Sequence, residues 1–182
     1  MSNGLFSIDP LDNNDDPSKP PYNTSSIYLR LGNEVFIPKT ELPFQFDLSQ
    51  KGITKLLRDN SDKKILSEDQ PYTLRKNKFV LVSTLERVNF PINQNGICYS
   101  ARVEGKSSIA RCGILIHFTA PTIHSGFEGV ITLEIINLGS NGFLLIKDMY
   151  ICQLIIEEVK GCPIPTGGQF IGQNTPVEIR GK

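Results

Sequence analysis

The sequence predicts an all-β fold, a distorted β-barrel or jelly roll with one or two short peripheral helices. Short runs of alternating apolar and polar residues recur along the 182-residue chain, and turn residues separate them at close spacing. A helical repeat of apolar residues is convincing at one place only. Hydrophobic residues make up 39% of the chain, so one domain of this length can bury a core without metal or disulfide support.

The predicted strands follow one another closely. The first region, residues 26–37, predicts a hairpin with its turn at Gly32-Asn33, because apolar residues alternate on both sides of this pair. Pro91 suits the end of a strand rather than a central position. Further strands are predicted at residues 44–48, 72–74, 79–85, 88–92, 97–103, 131–135, 143–146 and 150–159.

The helical segment is residues 49–60. Ile53, Leu56 and Leu57 fall on one face, and Ser49 is the predicted N-cap. The segment is short, which predicts a peripheral position.

The chain divides into an arm, a barrel domain and a tail. Residues 1–23 are rich in Asp, Asn, Pro and Ser without periodicity, which predicts a flexible or loosely docked arm. Residues 24–160 hold the predicted strands. Residues 161–182 are rich in glycine and proline and predict a flexible tail.

Composition excludes several classes of function. The formal net charge is +0, and no basic stripe with interleaved aromatic residues indicates a nucleic-acid partner. No apolar run is long enough for a membrane span, and the polar N-terminus lacks a signal peptide, so a cytoplasmic protein is expected. The four cysteines lack zinc-site spacing and are expected to be reduced, mostly buried thiols.

Glu134 is the first candidate for chemistry. Its neighbours Leu133, Ile135 and Ile136 predict a strand buried on both faces, where a carboxylate is costly unless it is paired or functional. Desolvation would raise its pKa, and such a carboxyl could shuttle protons. The alternative is an ion pair with Arg111 or Arg102 that has no chemical role.

Two other features could serve a site. Ser107, Ser108 and Arg111 follow a glycine and could converge on an anion such as phosphate, although an ordinary capped turn has the same pattern. His124 lies in a polar, glycine-flanked loop and is the better functional candidate of the two histidines. His117 lies in an apolar run and is expected to be a core histidine.

Several motifs together resemble one family. Residues 106–111 (KSSIAR) are similar to the RSSxAR motif of the dCTP deaminases, which are relatives of the trimeric dUTPases. Residues 119–134 (TAPTIHSGFEGVITLE) resemble the family pattern T-A-x-x-I-D-x-G-[FW]-x-G-x-x-[TV]-L-E. Further stretches resemble family segments in the same order, namely residues 27–32, 79–91, 151–154 and 170–173.

This resemblance implies a distorted β-barrel that assembles as a homotrimer with active sites at the subunit interfaces. The implied reaction is the zinc-independent deamination of dCTP to dUTP and ammonia, with magnesium bound through the nucleotide triphosphate. Glu134 takes the position of the general acid/base, and Arg111 and Ser107 are the other implied catalytic residues. The implied nucleotide-binding residues are Lys106, Ser107, Ser108, Arg111, Ala120, His124, Thr132, Leu133, Gln169 and Gln173, and none is a metal ligand. The tail would close over the bound nucleotide.

Some positions depart from the family pattern. His124 stands where the family has the aspartate that activates water in dUTPases, which argues against dUTP hydrolysis, although the imidazole could hold the deoxyribose 3′-hydroxyl. Lys106 replaces an arginine, Tyr28 an aspartate, and Gln169 a lysine. Two alternatives therefore stay open: a dUTP pyrophosphatase or bifunctional enzyme that forms dUMP, and a non-catalytic nucleotide-binding barrel.

Overall fold

A curled antiparallel sheet, half of a barrel, makes up most of the structure and confirms the predicted mostly-β fold. The computed structural model describes residues 4–12, 14–40, 45, 47, 49, 52–93, 96–165 and 171–177. Within these residues ten strands form the curled sheet, two more form a separate pair, and there are two short helices.

The strands and helices have the following bounds. The strands are β1 (Ser7–Asp9), β2 (Tyr22–Asn23), β3 (Ser26–Pro38), β4 (Ser61–Ile65), β5 (Tyr72–Leu74), β6 (Phe79–Asn89), β7 (Cys98–Gly105), β8 (Ile114–Ile116), β9 (Thr122–Ile123), β10 (Glu128–Asn137), β11 (Phe143–Leu145) and β12 (Tyr150–Val159). The helices are α1 (Ile53–Asp59) and α2 (Ser107–Ala110).

The order of strands in the large sheet is β8-β10-β6-β3-β12-β7-β9. β1 also pairs with β6, β2 and β4 pair with β3, and β11 pairs with β5 alone. A bulge interrupts the pairing of β10 with β6 between Val130 and Thr132. At the bulge the backbone N–H of Ile131 donates to the buried hydroxyl of Thr84 at 2.9 Å, so this donor stays satisfied.

The core lies inside the curl of the sheet. Alternate residues of β3, β6, β10 and β12 point inwards, as the period of two in a strand requires. The buried side chains include Leu29, Leu31, Val35, Val80, Val82, Val88, Leu133, Ile135 and Leu154.

The hairpin predicted at residues 26–37 is one continuous strand, β3. Gly32 is needed for close packing rather than for a turn, because a Cβ at this position would lie 3.0 Å from the carbonyl oxygen of Ser83 on β6. Residues 79–85 and 88–92 were predicted as separate strands, but β6 contains all of the first and only Val88 and Asn89 of the second. Most of the strand predicted at residues 44–48 lies outside the described residues.

The helix at residues 53–59 is shorter than predicted. Its N-cap is Gly52, with φ of 94°, instead of Ser49. The hydroxyl and backbone N–H of Ser49 both donate to Asp47, at 2.7 and 2.9 Å. The residues 107–110, where the sequence predicts an anion-binding turn, form the second helix, α2.

The described part of the predicted arm is docked on the sheet. β1 pairs with β6, and Ile8 is buried because its side chain joins the core. The described tail segment, residues 171–177, is docked too. Val177 packs with Phe36, Leu81 and Leu57 of α1.

All four cysteines are free thiols. Cys98 and Cys152 are buried, whereas Cys112 and Cys162 are exposed. Burial raises the pKa of the Cys152 thiol, which favours its protonated form. Neither described helix has the length and apolar character of a membrane span.

Candidate active site

A cleft of about 400 Å³ lies on the outer face of β10, beneath α1 and the tail segment. This volume is within the range of small-molecule sites. The cleft is lined by Thr54, Leu57, Leu81, His117, Ala120, Thr122, Ile123, His124, Ser125, Gly126, Phe127, Ile131, Thr132, Glu134, Ile171, Gln173, Pro176 and Val177.

Glu134 reaches the cleft because β10 alternates between its two faces. Leu133 and Ile135 are fully buried in the core, while Glu134 and Thr132 are half-buried on the other face. The sequence interpretation of a strand buried on both faces was therefore wrong. The carboxyl of Glu134 is placed in a partly enclosed cavity, where it can meet a small ligand.

The partner of Glu134 is His117. Its Nδ1 lies 2.9 Å from Oε2 of Glu134, and its Nε2 lies 2.7 Å from the carbonyl oxygen of Ala120. Both Nδ1 and Oε2 are inaccessible to solvent, and neither has a well-aligned hydrogen bond among the described residues. The two side chains are therefore held together by the attraction of opposite charges at short range rather than by a well-aligned hydrogen bond.

The environment of His117 favours its protonated form. Burial opposes a charge on the ring. The Glu134 carboxylate and the carbonyl groups of Ala120 and Thr132 outweigh this effect, and together they raise the pKa of His117 above its ordinary value.

The alternative partners predicted for Glu134 are engaged or positioned elsewhere. Arg102 forms ion pairs with Glu104 at 3.6 Å and with Glu157 at 3.1 Å. Arg111 is exposed at the end of α2 and does not line the cleft. The ion pair is thus with a histidine that the sequence assigned to the core.

Several predicted nucleotide-binding residues lie together in the cleft. Ala120, His124, Thr132 and Gln173 all line it. Leu133 points into the core, so only its backbone lies near this face. Gln169 lies outside the described residues.

Gln173 fixes the tail segment over β10. Its Nε2 donates to the carbonyl oxygen of Val130 at 2.8 Å and to the hydroxyl of Thr132 at 3.1 Å. The backbone carbonyl oxygen of Gln173 accepts a hydrogen bond from the backbone N–H of Val130 at 3.1 Å. The tail thereby forms one wall of the cleft.

The KSSIAR segment lies apart from this cleft. Among the described residues, the lining of the cleft does not include Lys106, Ser107, Ser108 or Arg111. The Lys106 ammonium lies 4.5 Å from the ring centroid of Tyr28 and 5.8 Å from that of Tyr150. Tyr28 stands where the family pattern has aspartate, so an aromatic contact occupies a position where a carboxylate is usual.

Sequence reasoning missed His117, α1 and part of the tail as components of the site. A polar residue in an apolar run just before the Thr119-Ala120 motif was the available signal for His117. Its backbone φ of 55° has no sequence signature. Thr54 and Leu57 reach the cleft through tertiary packing alone.

The described residues hold no cluster of three or more His, Cys, Asp or Glu side chains that could bind a metal ion. Within the cleft, the titratable side chains of the described residues are His117, His124 and Glu134. The chemistry of this face therefore depends on one carboxyl and two imidazole groups.

Comparison with known proteins gives consistent results. A family model described as dCTP deaminase-like matches residues 2–159. The dUMP-forming dCTP deaminase of Dictyoglomus thermophilum is 36% identical, over 99% of this chain and 89% of its own length. The enzyme of the same name from Methanothermobacter thermautotrophicus is 33% identical, over 99% and 88%. The dCTP deaminase of Glaesserella parasuis is 31% identical, over 88% and 79%.

A solved structure shares the fold. The 2′-deoxycytidine 5′-triphosphate deaminase from Agrobacterium tumefaciens superposes with a TM-score of 0.61 at 20% identity. The match covers 86% of this chain and 44% of that one. The family model matches residues 2–159, and the two dUMP-forming relatives are more than 30% identical over 99% of this chain. This chain therefore belongs to the dCTP deaminase-like family.

Proposed function

We propose that the protein catalyses the hydrolytic deamination of dCTP to dUTP and ammonia. The observation that carries this proposal is the Glu134 carboxyl in a partly enclosed cleft, within a family whose named members deaminate dCTP. A cleft of about 400 Å³ is large enough for a pyrimidine nucleoside. Thr132 and the backbone of Ala120 offer hydrogen-bonding groups beside Glu134.

Glu134 has the chemistry that this reaction needs. A water oxygen attacks C4 of cytosine while the Glu134 carboxylate accepts one water proton and passes it to N3. The second proton of that oxygen moves through Glu134 to the exocyclic amine, which leaves as ammonia. The C4–O bond becomes a carbonyl, and the carboxylate is regenerated. Neither proton transfer requires a zinc-bound hydroxide.

The triphosphate would be held by a second subunit. Lys106, Ser107, Ser108 and Arg111 lie away from Glu134 in one chain, and α2 is exposed. In a homotrimer with sites at the subunit interfaces, α2 of one subunit would face the cleft of the next. Arg111 could then pair with phosphate oxygens, and magnesium would enter as part of the dCTP complex.

A second candidate is the formation of dUMP, by deamination followed by loss of pyrophosphate. The names of the relatives from Methanothermobacter thermautotrophicus and Dictyoglomus thermophilum favour it. His124 weakens it, because imidazole replaces the carboxylate that would activate water for attack on phosphorus. His124 lines the cleft, and in this second candidate its imidazole would have to activate the water or hold the sugar.

One incubation separates these candidates. The purified protein is mixed with dCTP and magnesium chloride, and ammonia, pyrophosphate, dUTP and dUMP are measured over time. Equal amounts of ammonia and dUTP without pyrophosphate support deamination alone, and equal amounts of ammonia, pyrophosphate and dUMP support the bifunctional reaction. Thermal stabilisation by dCTP without any product would refute both and leave a nucleotide-binding barrel.

A further inference from the structure

The ring of His117 is surrounded by hydrogen-bond acceptors. Its Nε2 faces the carbonyl oxygen of Ala120 at 2.7 Å, and its Nδ1 faces Oε2 of Glu134 at 2.9 Å. A carbonyl oxygen can only accept, so Nε2 must carry a hydrogen. Nδ1 and Oε2 do not form a well-aligned hydrogen bond, but their separation of 2.9 Å is short enough for the two side chains to share one proton.

We propose that His117 and Glu134 form a proton-sharing pair in which His117 is the positioning residue of the general acid/base. Its role in turnover rests on the proposed dCTP deamination. The imidazole holds one oxygen of the carboxyl, Oε2, and leaves the other free to meet the attacking water. When the imidazole is protonated, it also places a positive charge beside the carboxylate.

A backbone hydrogen bond also holds His117 next to Glu134. The N–H of His117 donates to the carbonyl oxygen of Glu134 at 2.9 Å, directly after the β8–β10 pairing of Ile116 with Ile135. The φ of 55° at His117 is uncommon for a residue with a side chain, and it persists because the surrounding contacts fix it. Both ends of the pair are thus attached to the same place on the sheet.

Among the described residues that line the cleft, no lysine or arginine is present to hold the Glu134 carboxyl in place of His117. The cleft lining includes no lysine or arginine, and His124 is its only other titratable group besides the pair. The side chain of His117 is 7% exposed and that of Glu134 is 30% exposed. The histidine is therefore shielded from water while the carboxyl still reaches the cleft.

Nuclear magnetic resonance can test the pair without any turnover. The chain has two histidines, so His124→Gln assigns the imidazole signals directly. We expect His117 to titrate above the ordinary histidine pKa of about 6.5, and to titrate lower in Glu134→Gln. Titration of His117 at the ordinary value in both proteins, with no response to Glu134→Gln, would overturn the pair.

Kinetics tests the positioning role. Asparagine tolerates a positive φ, so His117→Asn keeps the backbone while removing the titratable ring. We expect kcat for dCTP to fall about tenfold or more, with KM changed by less than about threefold, and the pH profile of kcat to lose its dependence on the histidine. An unchanged kcat and pH profile would refute this role.

The two tests also separate the pair from the proposed function. If the wild-type protein releases no ammonia from dCTP, the proposed function fails. The titration of His117 and its response to Glu134→Gln then still decide whether the pair exists.

Discussion

Glu86 accepts two hydrogen bonds from Arg30, one from the backbone N–H and one from Nε, each 2.7 Å long. The carboxyl side chain is 2% exposed and the guanidinium 14%. Arg30 also donates to Asp12 at 2.7 Å and to the carbonyl oxygen of Pro10 at 3.0 Å. The buried pair between β3 and β6 thus anchors the docked arm as well.

Glu86→Ala should destabilise the fold much more than Asp12→Ala. Loss of Glu86 leaves the guanidinium nearly buried without its main partner, at a cost of about 3–5 kcal/mol in the free energy of unfolding. Asp12 pairs with the same arginine at the surface, and its loss should cost about 1 kcal/mol or less. Urea unfolding of the two variants measures both values. Equal losses of unfolding free energy in the two variants would show that the burial of the Arg30–Glu86 pair does not determine its contribution to stability.

Gly129→Ala should displace the tail from the cleft. A Cβ at this position would lie 2.9 Å from the carbonyl oxygen and 3.1 Å from the nitrogen of Gln173. Hydrogen–deuterium exchange should become faster over residues 171–177, and KM for dCTP should rise.

Gly161→Ala is the matched control for this effect. Gly161 also has a positive φ, of 99°, but a Cβ there meets no atom within 4 Å. Alanine therefore strains the backbone at both positions, but only the Cβ at position 129 contacts the tail. Tail exchange that rises equally in both, or in neither, would contradict the described contact.

Mixing two inactive variants should restore activity if the sites lie between subunits. Glu134→Gln and Arg111→Ala would each inactivate a homotrimer. In mixed trimers some sites combine an intact Glu134 with an intact Arg111 of the neighbouring subunit. Unfolding and refolding an equimolar mixture should restore about a quarter of the wild-type rate. No recovery, with trimers present by light scattering, would place both residues in the same subunit's site.

The stability contributed by His117 should decrease with rising pH. The pKa of this ring is raised in the folded protein, so protonation stabilises the fold. The contribution is complete below the ordinary pKa of about 6.5 and is lost as pH passes through the raised value. The difference in unfolding free energy between wild type and His117→Asn should therefore shrink as the pH rises above about 6.5 and through the raised pKa. A difference that stays constant would indicate that the ring contributes packing alone.

The fold class was readable because strand periodicity is local. The run of strand-favouring residues at 150–159, which follows the turn at Lys147-Asp148, predicts β12 at its observed bounds. Gly32 was misinterpreted as a turn because its role depends on Ser83, which is distant in the sequence. The N-cap at Gly52 likewise depends on a backbone conformation that Ser49 does not show.

The site was readable only in part. The alternation that places Leu133 in the core also places Glu134 in the cleft, and this follows from the strand period. The pairing of Glu134 with His117 does not, because it requires the β8–β10 register and the positive φ of His117. The absence of Arg111 from the lining of the same cleft could not be deduced from motifs, since the order of motifs carries no information on the distance between their residues.

The turnover of dCTP by Glu134→Gln tests the central claim most directly. Glutamine keeps the size of the side chain and removes its ability to accept and return a proton, so kcat for ammonia release should fall by at least about a hundredfold. The variant should still bind dCTP and unfold as one cooperative transition. Ammonia release at the wild-type rate by the folded variant would contradict the claim that Glu134 carries the protons of this reaction.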